Sequence, residues 1–495
     1  MRFNPSPRRF ILTASALALL SQGASAEILD QYTFGDTWPS VFTPTTVHPG
    51  IVATPITAGA GVTLDPSFQE ASPLPTPWLR INPKAGNLTP EAAVTADASF
   101  NFTISVLPGF DLSLTSLAFD FTRGGGGTPR GYALQTSADN FGSIVSTADA
   151  PTARPNLTNV VVDLSGAAYQ DLSTITFKMF SYSPGGGSSV DYDNITVNGT
   201  AIFDGYTWQG SSSSWDTTSA NWTGPGTTYV DGTVNSNAFF SDAATETSVN
   251  VAAGGLNPNL VTIANSFAKD YIYSGGKLTV ATSLFKAGEG AAIFNNEVSA
   301  GTFTVDQGMV EITSTGSLTS PTTKVSRTGN LFVGGAFSTT DLTVDGSFSL
   351  NETDATVSTL SGAATGLVGI NDSDLEVTGT STFAGSIGGS GSLLKSTGGT
   401  LTLSGANSYG GGTTITGGAL QLNHASAAGF GPVVVKTGGI LSLGAGITTP
   451  VTLDGGTLGM TANVTVPANV LVSSDSTIKT FNPISGEGPA ELIVT

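Results

Sequence analysis

A hexapeptide of the form Gly-Gly-x-Leu-x-hydrophobic recurs four times in the last hundred residues, at 398–403, 417–422, 438–443 and 455–460. The starts lie 19, 21 and 17 residues apart, close to the length of one turn of a β-solenoid. Each copy reads as a tight turn followed by an alternating strand, with apolar residues two apart on one side. A unit this short cannot bury its apolar face alone, whereas stacked units bury a continuous core.

Weaker copies carry the pattern upstream: GGKLTV at 275–280, GTFTV at 301–305, GMVEI at 308–312, GNLFV at 329–333 and GSFSL at 346–350. The repeat array is therefore expected to begin near residue 270. It would occupy 271–495, with 204–270 as its N-terminal cap.

Composition narrows the chemistry. The chain has 63 Gly, two His, no Cys and 11% charged residues. Absence of Cys removes thiol nucleophiles, disulfides and thiolate-ligated metals together, so stability has to come from packing and hydrogen bonds. Residues 1–26 read as a signal peptide, with Arg2, Arg8 and Arg9 ahead of an apolar run from Phe10 to Leu20 and Ala24-Ser25-Ala26 before Glu27. The Arg8-Arg9 pair leaves twin-arginine export open beside the ordinary Sec route. Removing this segment leaves 14 basic against 36 acidic residues, a charge that repels nucleic acid and anionic lipid. No internal run approaches the ~20 apolar residues of a spanning helix.

Before residue 204 the chain is richer in Pro and aromatics. Alternation at 99–107, 113–121, 160–164, 174–180 and 190–197, with turn-rich loops between, predicts a β-sandwich over 27–203. The fold class is thus all-β: an N-terminal, jelly-roll-like β-sandwich followed by a right-handed parallel β-helix.

Two resemblances add to this reading. The stretches GYAL with SAD at 131–139, LSTITF at 172–177 and DYDNITVNG at 191–199 resemble the jelly-roll modules of bacterial surface proteins. Residues 387–422 are similar throughout to the autotransporter-associated β-strand repeat, whose core run LTLSGANxYxGGTTI stands here at 401–415 nearly unbroken. The segment 208–222 followed by AFFSD at 238–242 resembles the start of repeat-bearing regions in such proteins. The second resemblance implies a passenger-type β-helix displayed outside the cell and no catalytic residues. No membrane barrel follows residue 455, and 484–492 echoes 387–395 without the strand that follows there. The chain is therefore expected to be a fragment of a longer product, or to associate end to end through an open rung.

Candidate site residues are few. Trp208, Trp215 and Trp222 are spaced by seven, which suits either a sugar-stacking platform or an apolar plug capping the solenoid; the plug is the reading taken here. Trp78, in the loop 72–80, and Tyr132 are candidates for glycan stacking, with Arg123 and Arg130 of the Gly-rich loop beside them for an acidic glycan. Asp191, Asp193 and Asn194 bring three oxygen-bearing side chains together, a candidate for structural Ca²⁺; no other cofactor is expected. His48 and His424 lie in no nucleophile motif, and the basic residues of the array, Lys277, Lys286, Lys324, Arg327, Lys395 and Lys436, are scattered rather than gathered on one face. The chain is accordingly read as a non-enzymatic, exported cell-surface or extracellular protein. Its β-helical stalk would present the sandwich for adhesion to matrix or other cell surfaces; the alternative is a secreted polysaccharide-binding protein that uses the sandwich.

Overall fold

A computed structural model describes residues 26–34, 42–65, 78–124, 127–152, 157–184, 188–461, 464–466, 469–479 and 492–494. The expected signal peptide up to residue 25, most of the loop 72–80 and the echo at 484–491 lie outside the described residues. The chain divides into two compact units, one of Met1–His48, Ala53–Ile104 and Leu112–Ala201, the other of Pro49–Val52, Ser105–Asp111 and Ile202–Thr495.

The first unit is a sandwich of two antiparallel sheets. One runs Thr158–Asp163, Phe110–Arg123, Val190–Phe203, Glu27–Tyr32, Thr46–Val47, with Leu79–Pro83 and Val62–Asp65 joined to it through Val190–Phe203. The other runs Ser146–Asp149, Gly131–Thr136, Thr174–Tyr182, Ser99–Val106, Ile51–Ala53, with Thr57–Ala58 on Ser99–Val106. Alternation along these strands sends Phe100, Phe102, Ile104, Phe119, Phe121, Phe177 and Tyr192 into the space between the sheets, where all are buried. Aromatic pairs fill much of that space: Phe102 and Phe177 stack at 5.0 Å, and Phe100 meets Tyr192 edge-on at 5.1 Å.

A short helix, Pro90–Thr95, departs from the all-β expectation. Its signal is local: Thr89 accepts a hydrogen bond on Oγ1 from the Ala92 amide, Pro90 opens the first turn and Glu91 favours the positive N-terminus. The strand alternation around it masks six residues of helix.

The second unit is a parallel β-solenoid of about 12 turns. The Leu-x-hydrophobic pairs of the repeat stack in register: Leu401 on Leu420 on Leu441 on Leu458, and Leu403 on Leu422 on Leu443 on Met460, all buried. In the repeat's glycine pair, one residue takes the left-handed turn, Gly399, Gly418, Gly438 or Gly455, with φ between +64° and +88°. From residue 355 a second parallel sheet runs alongside, through Ala355–Val357, Asp374–Val377, Ser392–Lys395, Thr413–Ile415, Val433–Lys436, Val451–Asp454 and Val470–Ser474.

Parallel pairing starts at Tyr206, well before residue 270, where the repeat first becomes readable. A column of inward residues runs Tyr206, Ala238, Val261, Leu284, Phe303, Thr323, Leu342 and Leu360. Its first step spans 32 residues and the next two 23 each, against 18 to 20 thereafter. Long loops, with Tyr and Ala where later turns use Leu, hide the early turns from a search for a fixed period.

Candidate functional site

The residues proposed from sequence for glycan stacking do not present ring faces together. Tyr132 is buried, its ring edge-on against Phe119 at 4.9 Å and Phe121 at 5.1 Å, and its hydroxyl shares a hydrogen bond of 2.7 Å with Ser146. Burial pushes its phenol above the usual range. The correction follows from strand phase: Tyr132 lies on the face of Gly131–Thr136 that meets the opposite sheet, so it is core and offers no surface to a sugar. Trp78 is half-buried just before Leu79–Pro83, and its indole N–H finds no acceptor among the described residues.

Arg123 and Arg130 are committed to the chain itself. Arg123 donates to the carbonyls of Thr152 and Gly127, and the buried Arg130 donates to that of Ser189 at 3.0 Å. Both guanidinium groups therefore shape the loop that holds them, in place of the acidic glycan expected from sequence. Gly125 and Gly126 between them lie outside the described residues.

Asp191, Asp193 and Asn194 do not converge. Asp191 is buried and gripped by Arg80, while Asp193 accepts the Asn194 amide at 2.8 Å and the Phe34 amide at 3.5 Å. Asn194 turns out to solvent with φ +51° and donates to Asp120 at 2.9 Å. Strand alternation does put the two aspartates on one face, yet Arg80 supplies the charge that Ca²⁺ would have supplied. Among the described residues no group of three or more His, Asp or Glu has the arrangement of a metal site.

Trp208, Trp215 and Trp222 are all buried in the first turns of the solenoid. Trp222 lies 5.0 Å from Trp208, 5.5 Å from Trp215 and 5.0 Å from Tyr229, and Phe240 closes the cluster 5.1 Å from Trp215. The Trp208 indole donates to the Glu246 carbonyl at 2.8 Å. None of the three has an open face.

Several polar positions escaped the sequence reading. On the outer face of the first sheet, Asp120 accepts from Asn159 and Asn194, each at 2.9 Å, Gln31 donates to Thr196 at 3.1 Å and Asn198 to Ser116 at 3.2 Å. Ala118 and the exposed Val161, register partners, lie beside this amide strip. Period-2 alternation marks these residues as outward, but only the pairing of distant strands sets them side by side.

Two lysines point inward in the solenoid. Lys286, in register between Ile263 and Val305, donates to the carbonyls of Ala287, Gly288 and Gln307. Burial lowers its ammonium to about 7, opposed by the charges of Asp270 and Asp242. Lys395 donates to four carbonyls, those of Thr378, Ser396, Thr397 and Gly398, and burial lowers it as well, opposed by Glu376. Asn407 spans turns in the same way, accepting the Ile387 amide at 2.8 Å and donating to the Ala427 carbonyl at 2.7 Å. Tyr409, beside it, shares a 2.6 Å hydrogen bond with Thr413.

Residues 393–422 match the passenger-associated-transport-repeat family. This stretch contains Lys395, Asn407, Tyr409 and Thr413, so the chain carries an autotransporter-associated repeat in its solenoid, and that repeat's polar residues tie one turn to the next. No curated protein matches the chain. Among solved structures, two mutants of CBM29-2, from studies of ligand recognition by family 29 carbohydrate-binding modules, are similar at 17% identity and a TM-score of 0.20. The similarity covers 36% and 35% of this chain and 92% and 90% of theirs.

Proposed function

We propose that this is a non-enzymatic, exported protein of the passenger type, in which the solenoid is a stalk and the sandwich meets matrix or other cells. The observation that supports this most is the autotransporter-associated repeat at 393–422, continuous in register with the turns before and after it. Uniform stacking gives length and rigidity, and the two inward ammonium groups, Lys286 and Lys395, are taken up by backbone carbonyls. In this reading residues 1–26 are the removed leader, and the aromatic cluster of Trp208, Trp215 and Trp222 closes the start of the stalk. Beads coated with the whole protein should adhere to matrix-coated surfaces, and adhesion should be lost in a chain whose outer-face residues Gln31, Asn159 and Asn194 are changed to Ala. Adhesion equal to that of uncoated beads would overturn the reading.

The second reading, polysaccharide binding by the sandwich, is favoured by the outer-face strip of Asp120, Asn159, Asn194, Gln31 and Thr196. Paired amides and carboxylates held flat on a sheet can exchange hydrogen bonds with sugar hydroxyls at little ordering cost. A glycan array probed with the whole protein separates the two, since pure adhesion to protein matrix leaves every polysaccharide spot empty.

A further inference from the structure

From Phe332 to Gly388 the outward column of the solenoid steps down in size. In register it reads Glu311, Phe332, Ser349, Gly369 and Gly388. The inward partners along the same strands, Val310, Leu331, Phe348, Val368 and Ile387, are all buried, so the change is confined to the surface. Phe332 stands 42% exposed beside a floor that falls to bare backbone at the two glycines, and Leu367, 53% exposed, flanks that floor. Two adjoining recesses of about 500 and 290 Å³ share Phe332 and Ser349 in their walls, and together form one trough.

The glycines are informative because neither is required by a turn. Gly369 and Gly388 lie within strands Leu367–Asn371 and Ser386–Gly388 and are absent from the positive-φ residues. A Cβ at Gly388 would meet the Ser408 hydroxyl at 3.0 Å, and one at Gly369 would meet the Ser349 hydroxyl at 2.9 Å and the Asn371 side-chain amide nitrogen at 3.5 Å. Glycine inside a strand forfeits side-chain packing and conformational entropy, and often marks close approach of a ligand to the backbone. Along the wall, Asn371 donates to the Ser349 hydroxyl at 3.1 Å, leaving hydroxyl and amide groups facing the floor.

We propose that this trough binds a linear, neutral polysaccharide lying along the solenoid axis, with one sugar ring on the face of Phe332. Turns stack at ~4.8 Å, so the floor from Phe332 to Gly388 is roughly 14 Å long, the length of a few sugar units. Exposed phenyl and leucyl surface suits the apolar face of a pyranose, and Ser and Asn suit its hydroxyls. Among the described residues Glu311 is the single charged side chain lining either recess and no Lys or Arg does, which disfavours an anionic chain. This proposal stands apart from the sandwich reading.

The test is affinity gel electrophoresis of the whole protein in gels containing hydroxyethylcellulose, galactomannan or, as an anionic comparison, polygalacturonate. Retardation is expected with a neutral polymer and not with polygalacturonate. Phe332→Ala and Gly388→Thr should each weaken it roughly tenfold, a loss of about 1.4 kcal/mol. Phe267→Ala, which removes an exposed phenyl outside both recesses, should leave it unchanged, and Asn194→Ala reports any binding by the sandwich separately. Circular dichroism serves as the fold check, since both trough positions face solvent. No retardation by either neutral polymer, equal retardation by polygalacturonate, retardation indifferent to both trough variants, or loss only with Asn194→Ala would each overturn the proposal.

Discussion

Lys395 and Ile415 are register partners in adjacent turns, so an ammonium-bearing chain occupies a column of the solenoid core otherwise filled by aliphatic residues such as Val377 and Ile415. Four carbonyl oxygens accept from that ammonium. Lys395→Met keeps most of the packing and removes the donor, and leaving several buried carbonyls unmatched should cost about 2–4 kcal/mol. Urea unfolding followed by far-ultraviolet circular dichroism measures it; a midpoint equal to or above that of the parent would show that the carbonyls find other partners.

Asp30 lies buried in the sandwich, with neither carboxylate oxygen in hydrogen-bonding geometry with a donor among the described residues. Burial pushes its carboxyl up to about 7 from 3.8, with the neighbouring Tyr32 hydroxyl and Gln31 amide pulling the other way. The folded chain therefore holds a proton that the unfolded chain has lost between about pH 4 and 7. The stability this gives is complete below pH 3.8 and disappears as pH rises through 7. Asp30→Asn should stabilise the sandwich at pH 8 by up to about 4 kcal/mol and leave it nearly unchanged at pH 4. Amide exchange in Glu27–Tyr32 at the two pH values is the readout, and an equal effect at both would contradict it.

Arg80 holds Asp191 through Nε to Oδ1 at 2.9 Å and Nη2 to Oδ2 at 3.0 Å. Cutting a buried ion pair on one side leaves the other charge uncompensated, so Asp191→Ala should destabilise the sandwich by about 3–5 kcal/mol. Addition of EDTA to the parent should leave its melting temperature unmoved; a fall reversed by Ca²⁺ would restore the metal reading of Asp191 and Asp193.

Trp215 packs against Trp222, Tyr229 and Phe240 at the first turns. Trp215→Ala should cost about 3–5 kcal/mol in solenoid stability through the cavity it leaves. Limited proteolysis should then cut first within the early turns. Unchanged protease resistance would mean that the cluster does not hold this end together.

Much of the solenoid is legible in sequence because one rule repeats: glycine at the turn and apolar residues two apart, as in 398–403 and 417–422, specify both the turn and its stacking register. Trp208, Trp215 and Trp222, expected from their spacing to plug the end of the solenoid, lie buried together in its first turns, but those early turns themselves stay hidden behind long loops. What failed was partner assignment. Nothing local distinguishes Lys395, which enters the core, from Lys277, which meets Glu297 at the surface at 2.6 Å. Tyr132 has the composition of a binding residue, and only its strand phase against Phe119 and Phe121 shows that it is core. Arg80 lies 111 residues from Asp191, a distance across which no spacing argument reaches.

Export of an intact stalk is tested most directly on living cells that produce the whole chain, by adding protease to the intact cells and to a lysate and blotting for both units. The account predicts that intact cells or their medium already expose the protein, with the leader removed before Glu27 and a resistant block beginning near Tyr206. A product that retains residues 1–26 and is cut only after lysis would contradict it.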